Sequence, residues 1–435
     1  MLTTIRFIRR RGTDKMSVYG KRILLSLIFL LLSALLLCGC AADSEQPVSP
    51  AEVTPAATPV PTPTPVPELH FPDGSVHSPD ETALKLTELS HEDVKAVAGL
   101  LRQMPSLHYV NLGKEGTEEN PRDLSWEDIR LLQEACPGAD VQYRFCLFGK
   151  YFSTLSVEMN FHHVTMDDEG TAVREVLPCM TKCRVLDMDF TGVSSEVMAE
   201  IRDAYPEMEV IWRIWFGTDC SVRTDVERIL ASNLNHKLTD DNTADLKYCT
   251  KVRFLDVGHN TMLTDFSFLE TMPDLEVAVL CITGMEDLTP LANHGKLEYL
   301  EINTLRDGKG IDLSPLGSCP NLEHLCACYL GPVTGWEELE KLTKLQRLWF
   351  GKYTYLPDGA LEELQEALPD TVINTTNPYG SSGDWRYDGR SCNERYALLR
   401  EQFDYSDYTL VSSSWYNDPM YYKEGEPRYY PSMWW

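Results

Sequence analysis

Basic charge is scarce in this chain of 435 residues: 39 lysines and arginines stand against 66 aspartates and glutamates. Residues 1–39 hold seven of the basic residues and one acidic residue, so the remainder carries a net charge of −33. Contacts to a phosphate backbone need clustered Lys and Arg. The balance therefore argues against nucleic acid, and against a polybasic grip on anionic lipid. An acidic surface of this kind reads first as solubility.

Catalytic signatures are missing too. There is no Gly-rich phosphate loop, no nucleophile elbow and no His-x-x-x-His element. His162-His163, Asp167-Asp168 and Asp187-x-Asp189 invite a metal or acid–base reading, with Asp187, Asp189 and His162 as the candidates for a hydrolase. Acidic residues are about one in seven of the chain, however, so such pairs arise by chance. Cys179-x3-Cys183 and Cys326-x-Cys328 lack the partners of a zinc site, and Asp240-Asp241-Asn242 lacks the Gly and distal Glu of a calcium loop. No catalytic residue, metal or cofactor is expected.

Long apolar runs are absent except near the start. Basic residues, among them Arg9, Arg10, Arg11, Lys15, Lys21 and Arg22, precede an uncharged run from Ile23 to Leu37, 15 residues long, against the ~20 a helix needs to span a bilayer. This reads as a targeting segment, with Met16 a possible true start. Residues 46–67 are rich in Pro, Thr, Val and Ala, a composition that favours extended polyproline II and makes a stalk.

What is present is a Leu-rich unit. Its core, L-x-x-L-x-L, starts at Val252, Leu275, Leu297, Leu322 and Leu345, giving periods of 23, 22, 25 and 23 residues. Such a period means a solenoid, because no single unit can bury its own apolar face. Longer, looser units come before it, as in Leu84-Lys-Leu86, Leu107/Val110/Leu112 and Leu186-Asp-Met188. Ser90 with Asp93 suggests a capping box, and Trp126, Ile129 and Leu132 an amphipathic helix that ends before Cys136. The stretch 141–161 alternates around Phe148-Gly149-Lys150 as a hairpin or extended pair. Val210–Gly217 is read as a related copy in the form of a lengthened strand, and 218–245 as a helical insertion.

These units resemble the leucine-rich repeat family, and Thr289-Pro290-Leu291 and Ser314-Pro315-Leu316 resemble the convex segment of internalin-type repeats. The resemblance implies an α/β solenoid with one short strand per repeat in a parallel concave sheet. The turn position usually held by Asn reads Asn260, Thr283, Leu305, Leu330 and Tyr353, so a continuous Asn ladder is not expected. Leu37-Cys38-Gly39-Cys40 resembles a bacterial lipobox, which implies that Cys40 is lipidated and that the chain sits on the outer face of a bacterial cytoplasmic membrane. An uncleaved anchor helix over 23–42 is the other reading. With Cys38 removed and Cys40 lipidated, 11 of 13 cysteines remain. The odd count demands a free thiol or an intermolecular pair, and most read as small apolar fillers.

The expected organisation is a signal peptide (1–39), a lipidated stalk (40–68), long irregular repeats (69–250), short repeats (251–370) and an aromatic C-terminal cap or tail (371–435). The tail holds 15 aromatic residues between Tyr379 and Trp435, and a short helix over 393–403 puts Tyr396, Leu399 and Phe403 roughly on one side. Along each strand the alternate residues face the concave side. There the third and fifth positions place Phe254, Asp256, Val277, Val279, Tyr299, Glu301, His324, Cys326, Arg347 and Trp349 in two columns. The expected binding residues are Phe254, Asp256, Tyr299, Glu301, His324, Arg347 and Trp349. The expected function is recognition of, or adhesion to, a protein or glycan on an envelope or host surface. The alternatives are an envelope scaffold without a soluble ligand and, last, the hydrolase.

Overall fold

The computed structural model describes residues 68–115, 124–218, 220–232 and 237–376, a strand pair at 387–388 and 391–392, and residue 402. The expected targeting segment and stalk, Cys40, the expected helix over 393–403 apart from residue 402, and most of the aromatic tail lie outside the described residues. No helix among the described residues is long and apolar enough to cross a membrane.

Repetition of L-x-x-L-x-L becomes a stack of short parallel strands. The largest sheet has seven, in sequence order: Arg228–Leu230, Phe254–Asp256, Val277–Val279, Tyr299–Glu301, His324–Cys326, Arg347–Trp349 and Val372–Asn374. Every neighbour pair is parallel, and equivalent positions face each other: Leu255 opposite Ala278, Ala278 opposite Leu300, Leu300 opposite Leu325, Leu325 opposite Leu348. These middle residues point inward and are fully buried. A second parallel strip, Ile311–Asp312, Gly331–Thr334 and Thr354–Tyr355, lines another side of the coil.

Two N-terminal ladders precede the large sheet. Ala83–Lys85, Tyr109–Lys114 and Asp140–Leu147 form the first; Glu158–Asn160, Val185–Asp187 and Glu209–Ile211 the second. Hairpins separate the blocks. Asp140–Leu147 turns back on Lys150–Ser153 through Phe148 (φ 51°) and Gly149 (φ 75°). Two successive left-handed residues match the twist of the flanking strands. Arg213–Phe216 pairs antiparallel with Cys220–Arg223, so the expected lengthened strand is in fact a second hairpin.

The convex side follows repeat length. The long N-terminal repeats carry α-helices Val94–Leu101, Trp126–Ala135 and Ser195–Ala204, whereas the short repeats carry 3-10 turns such as Ser267–Thr271 and Thr289–Leu291 until the last of them, which has the α-helix Ala360–Ala367. The capping box expected at Ser90 is a plain Ser90–Asp93 side-chain bond. The true box is at Ser125 and Asp128, starting Trp126–Ala135. The segment 218–245 is not simply a helical insertion: it contributes Arg228–Leu230, the first strand of the large sheet.

Each repeat leaves its strand through the same corner. Three residues after the strand end, His163, Phe190, His259, Ile282, Thr304 and Tyr329 adopt φ between 57° and 61°. A left-handed non-glycine costs roughly 1–2 kcal/mol, so the corner must be held. The N–H of His259, Ile282, Thr304 and Tyr329 donates to Cys281, Asn303, Cys328 and Lys352 of the following repeat, at 2.8 to 3.0 Å. The next position carries the polar rung. Asn260 Nδ2 donates to the carbonyls of Ala231, Val257 and Gly258, while Thr283 Oγ1 donates to Leu280 and Thr191 Oγ1 to Met188. As expected there is no continuous Asn ladder; threonines supply rungs of the same design.

Ten described cysteines are free thiols, nine of them buried. Cys136, Cys179 and Cys319 donate to the carbonyls of Leu132, Trp126 and Leu291. Burial pushes each of these thiols up to about 11. They are inert core groups, as the filler reading expects.

Candidate binding face

The concave columns form as the register demands. The first runs Arg228, Phe254, Val277, Tyr299, His324, Arg347; the second runs Leu230, Asp256, Val279, Glu301, Cys326, Trp349. A third column lies at the strand exits: Gly258, Cys281, Asn303, Cys328, Gly351. Arg228 and Leu230 were missed in the sequence because their unit has no leucine at any of its three core positions. The spacing Val226-x-x-Ile229-x-Ala231, 26 residues before the Val252 unit, would have found them.

Local contacts tie the columns together. Tyr299 Oη donates to Glu301 Oε1 at 2.6 Å. The rings of Tyr299 and His324 stack at 6.0 Å. The Arg347 guanidinium lies 5.1 Å over the Trp349 ring, a cation–π distance. Trp349 Nε1 donates to the Thr376 carbonyl at 2.7 Å, where the described chain leaves the last repeat. Asn303 Oδ1 accepts from Cys328 N.

This face is not open to solvent. Of the seven expected binding residues only Arg347 is half-buried; Phe254, Asp256, Tyr299, Glu301, His324 and Trp349 are all buried, Tyr299 at 1 % exposure and Glu301 at 0 %. Leu230, Phe254, Val277, Val279, Cys281, Tyr299, Cys326, Cys328 and Trp349 form an apolar cluster separate from the core between the sheet and the convex side. Every member of that cluster comes from the sheet or its exit corners. The alternation that puts these side chains on the concave side was legible; their enclosure was not.

Enclosure sets the chemistry of His324. Burial, with the Arg347 charge beside it, depresses its imidazole to about 4. An unfolded histidine titrates near 6.5. Between those values the unfolded chain holds a proton that the folded chain refuses, so stability is fully present above pH 6.5 and falls as pH drops toward 4. The span corresponds to roughly 3 kcal/mol. The difference in urea midpoint between the protein and His324→Gln is expected to shrink from pH 7 to pH 4; a pH-independent difference would show that His324 is not held neutral.

The hydrolase candidates lie elsewhere, between the second ladder and its hairpin, and both carboxylates are committed. Asp189 takes a two-pronged contact from Arg213, at 2.8 and 3.0 Å. Arg223 reaches Asp187 at 3.1 Å and Asp189 at 3.4 Å, and grips Asp225 with its other two nitrogens. His162 Nδ1 is 3.3 Å from Asp189. Burial opposes the charge on Arg223, but the hydrogen bonds to Asp225 and the three carboxylates raise its pKa on balance. Asp187 and Asp189 are shut from solvent. The arrangement is a buried ion cluster that closes the junction between blocks, with no carboxylate presented to a substrate. Among the described residues no group of three or more His, Cys, Asp or Glu is placed to hold a metal ion.

One parallel strand per repeat, stacked in register with helical or 3-10 convex segments, defines the class: the chain folds as a leucine-rich-repeat α/β solenoid. No family model matches the chain, and no curated protein matches it. Among solved structures it is similar to internalin C2 of Listeria monocytogenes, at 12 % identity over 65 % of this chain and 92 % of that one, with a TM-score of 0.28. It is also similar to an internalin (InlF) of the same organism, at 12 % identity over 70 % of this chain and 84 % of that one, TM-score 0.28. A leucine-rich-repeat protein of Leptospira interrogans aligns at 15 % identity over 63 % of this chain and 74 % of that one, TM-score 0.27.

Proposed function

We propose that the chain is a binding module that recognises a protein or glycan through its concave sheet, carried outside a bacterial cell on a lipid at Cys40 and the Pro/Thr stalk. The observation that supports this is the in-register pair of columns, where aromatic rings alternate with Asp256, Glu301, His324 and Arg347. Aromatics and Arg are the side chains that dominate recognition surfaces, and a rigid sheet holds them without an ordering cost at binding. No catalytic role is assigned to Asp187, Asp189 or His162, because both carboxylates are taken up by Arg213 and Arg223 and His162 lies against Asp189.

The test presents residues 68–435 to cell-envelope and host-surface fractions and identifies what is captured. Arg347→Ala and Tyr299→Phe are the variants, since one removes a half-buried cation and the other a single hydroxyl. Capture at least tenfold weaker is expected, with the melting temperature unchanged for Arg347→Ala and lowered for Tyr299→Phe, which takes a buried donor from Glu301. Capture indifferent to both variants would move recognition off this face. If no fraction yields a partner, the scaffold reading takes its place.

A further inference from the structure

The second hairpin carries an aromatic ring that the core does not use. Strand alternation buries Ile214 and Phe216 and turns Trp215 outward, where it is 48 % exposed. A large apolar ring held in water adds nothing to folding, yet tryptophan is the side chain most often found anchoring an interface. Trp215 lines an open cleft of about 290 Å³, together with Gly217 of the hairpin tip and with Asp241, Asn242 and Asp245 from the turns Asp240–Asn242 and Ala244–Tyr248. Gly217 N donates to the Asn242 carbonyl at 3.1 Å, which ties the hairpin to the first of those turns.

The lining is electronegative. Asp241 is exposed, and no described residue bonds to its carboxylate. Asp245 accepts from Ser195 Oγ through Oδ2 at 2.8 Å, which leaves Oδ1 to another donor. The Asn242 side chain is already in use, since it donates to Lys237 O and accepts from Thr239 N. Among the described residues that line the cleft there is no Lys, Arg or His. The face of an indole ring is negative as well. A neutral sugar needs donors as well as acceptors, whereas a cation needs what this cleft offers. The same junction shows the pairing completed. Arg213 lies 4.2 Å over the Phe190 ring and holds Asp189 with two nitrogens, and the edge of that ring meets Trp215 at 6.5 Å. A planar guanidinium can stack on a ring and fork a carboxylate at once, which a lysine ammonium cannot.

We propose that this cleft is a second recognition site, which takes an arginine side chain of a partner protein, its guanidinium on the Trp215 ring and its nitrogens on Asp241 and Asp245. The site goes beyond the concave-sheet reading and does not depend on it. The net charge of −33 outside residues 1–39 steers a basic partner toward the molecule, an attraction that fades as salt rises.

The probe is a fluorescent peptide of alternating arginine and serine, titrated into the full chain at ~0.15 M salt, beside a lysine–serine peptide of equal charge. The arginine peptide should bind more tightly. Trp215→Ala should weaken it by about fivefold and Asp241→Asn by about threefold, while Trp215→Tyr keeps a ring and most of the affinity. Glu366→Gln removes an exposed carboxylate from the helix Ala360–Ala367 and should change nothing. If Trp215→Ala lowers the melting temperature, Asp241→Asn decides alone, because its side chain supports no described residue. Equal binding of the two peptides, or indifference to both substitutions, would mean attraction to an acidic surface at large and overturns the proposal, as does failure of the arginine peptide to bind. A neutral oligosaccharide that binds and is lost in Trp215→Ala would make the ring a sugar platform and overturns it too.

Discussion

Gly331→Ala is expected to lower stability by about 3 kcal/mol, the sum of a left-handed alanine and a forced overpacking. Gly331 sits at φ 77° where the chain enters the second parallel strip, and an added Cβ would lie 2.0 Å from the Gly308 carbonyl oxygen. The obstacle is backbone on both sides, with the Gly310 nitrogen at 3.0 Å, so no rotamer change relieves it. For a unit of this size the loss corresponds to a melting temperature lower by roughly 5–10 °C, read by calorimetry. Gly99→Ala is the matched control. It lies within Val94–Leu101 with open space around its Cβ position, and alanine there should leave stability unchanged or raise it by about 0.5–1 kcal/mol. Equal melting temperatures for the two variants would remove the close approach at Gly331.

Asp189→Asn is expected to cost about 3–5 kcal/mol, the range for removing one partner of a buried ion pair. The volume hardly changes, so the effect isolates charge. Arg213 loses its two-pronged partner, and Arg223 keeps only Asp187 and Asp225. Phe190 beneath the Arg213 guanidinium, 4.2 Å from the ring centre, offers a ring face but no hydrogen bond. Removing the exposed Lys182–Asp140 pair should cost under 1 kcal/mol by comparison. Urea unfolding of both variants decides; a loss below 1 kcal/mol for Asp189→Asn would mean that water or a shifted side chain already serves these arginines.

Which parts of this molecule could be read in advance follows from how locally each is specified. The strands at Phe254, Val277, Tyr299, His324 and Arg347 were legible because L-x-x-L-x-L is written within six residues and repeated. The strand at Arg228 was not, because Val226, Ile229 and Ala231 replace the leucines while keeping their spacing. Phe148-Gly149 announced its hairpin through a turn pair; Phe216-Gly217 has the same dipeptide and was taken for strand. The concave columns were placed correctly by alternation alone. Their burial is a separate fact that alternation does not report. The Asp187–Asp189 pair looked like chemistry in the sequence, since the arginines that claim it stand 24 and 34 residues downstream.

The repeat spacing also orders events during folding. Each strand of the large sheet pairs with one 22 to 26 residues away, so every rung closes a short loop and can template the next, a low contact order for a β-rich chain. The Gln402–Glu276 bond is of another kind, with a sequence separation of 126. On a ribosome the solenoid can zip up from its N-terminal end as each coil emerges, whereas that bond must wait until residue 402 has been synthesised and released. A newborn molecule therefore passes through an interval in which its coils are complete and their far-end tie is still unmade.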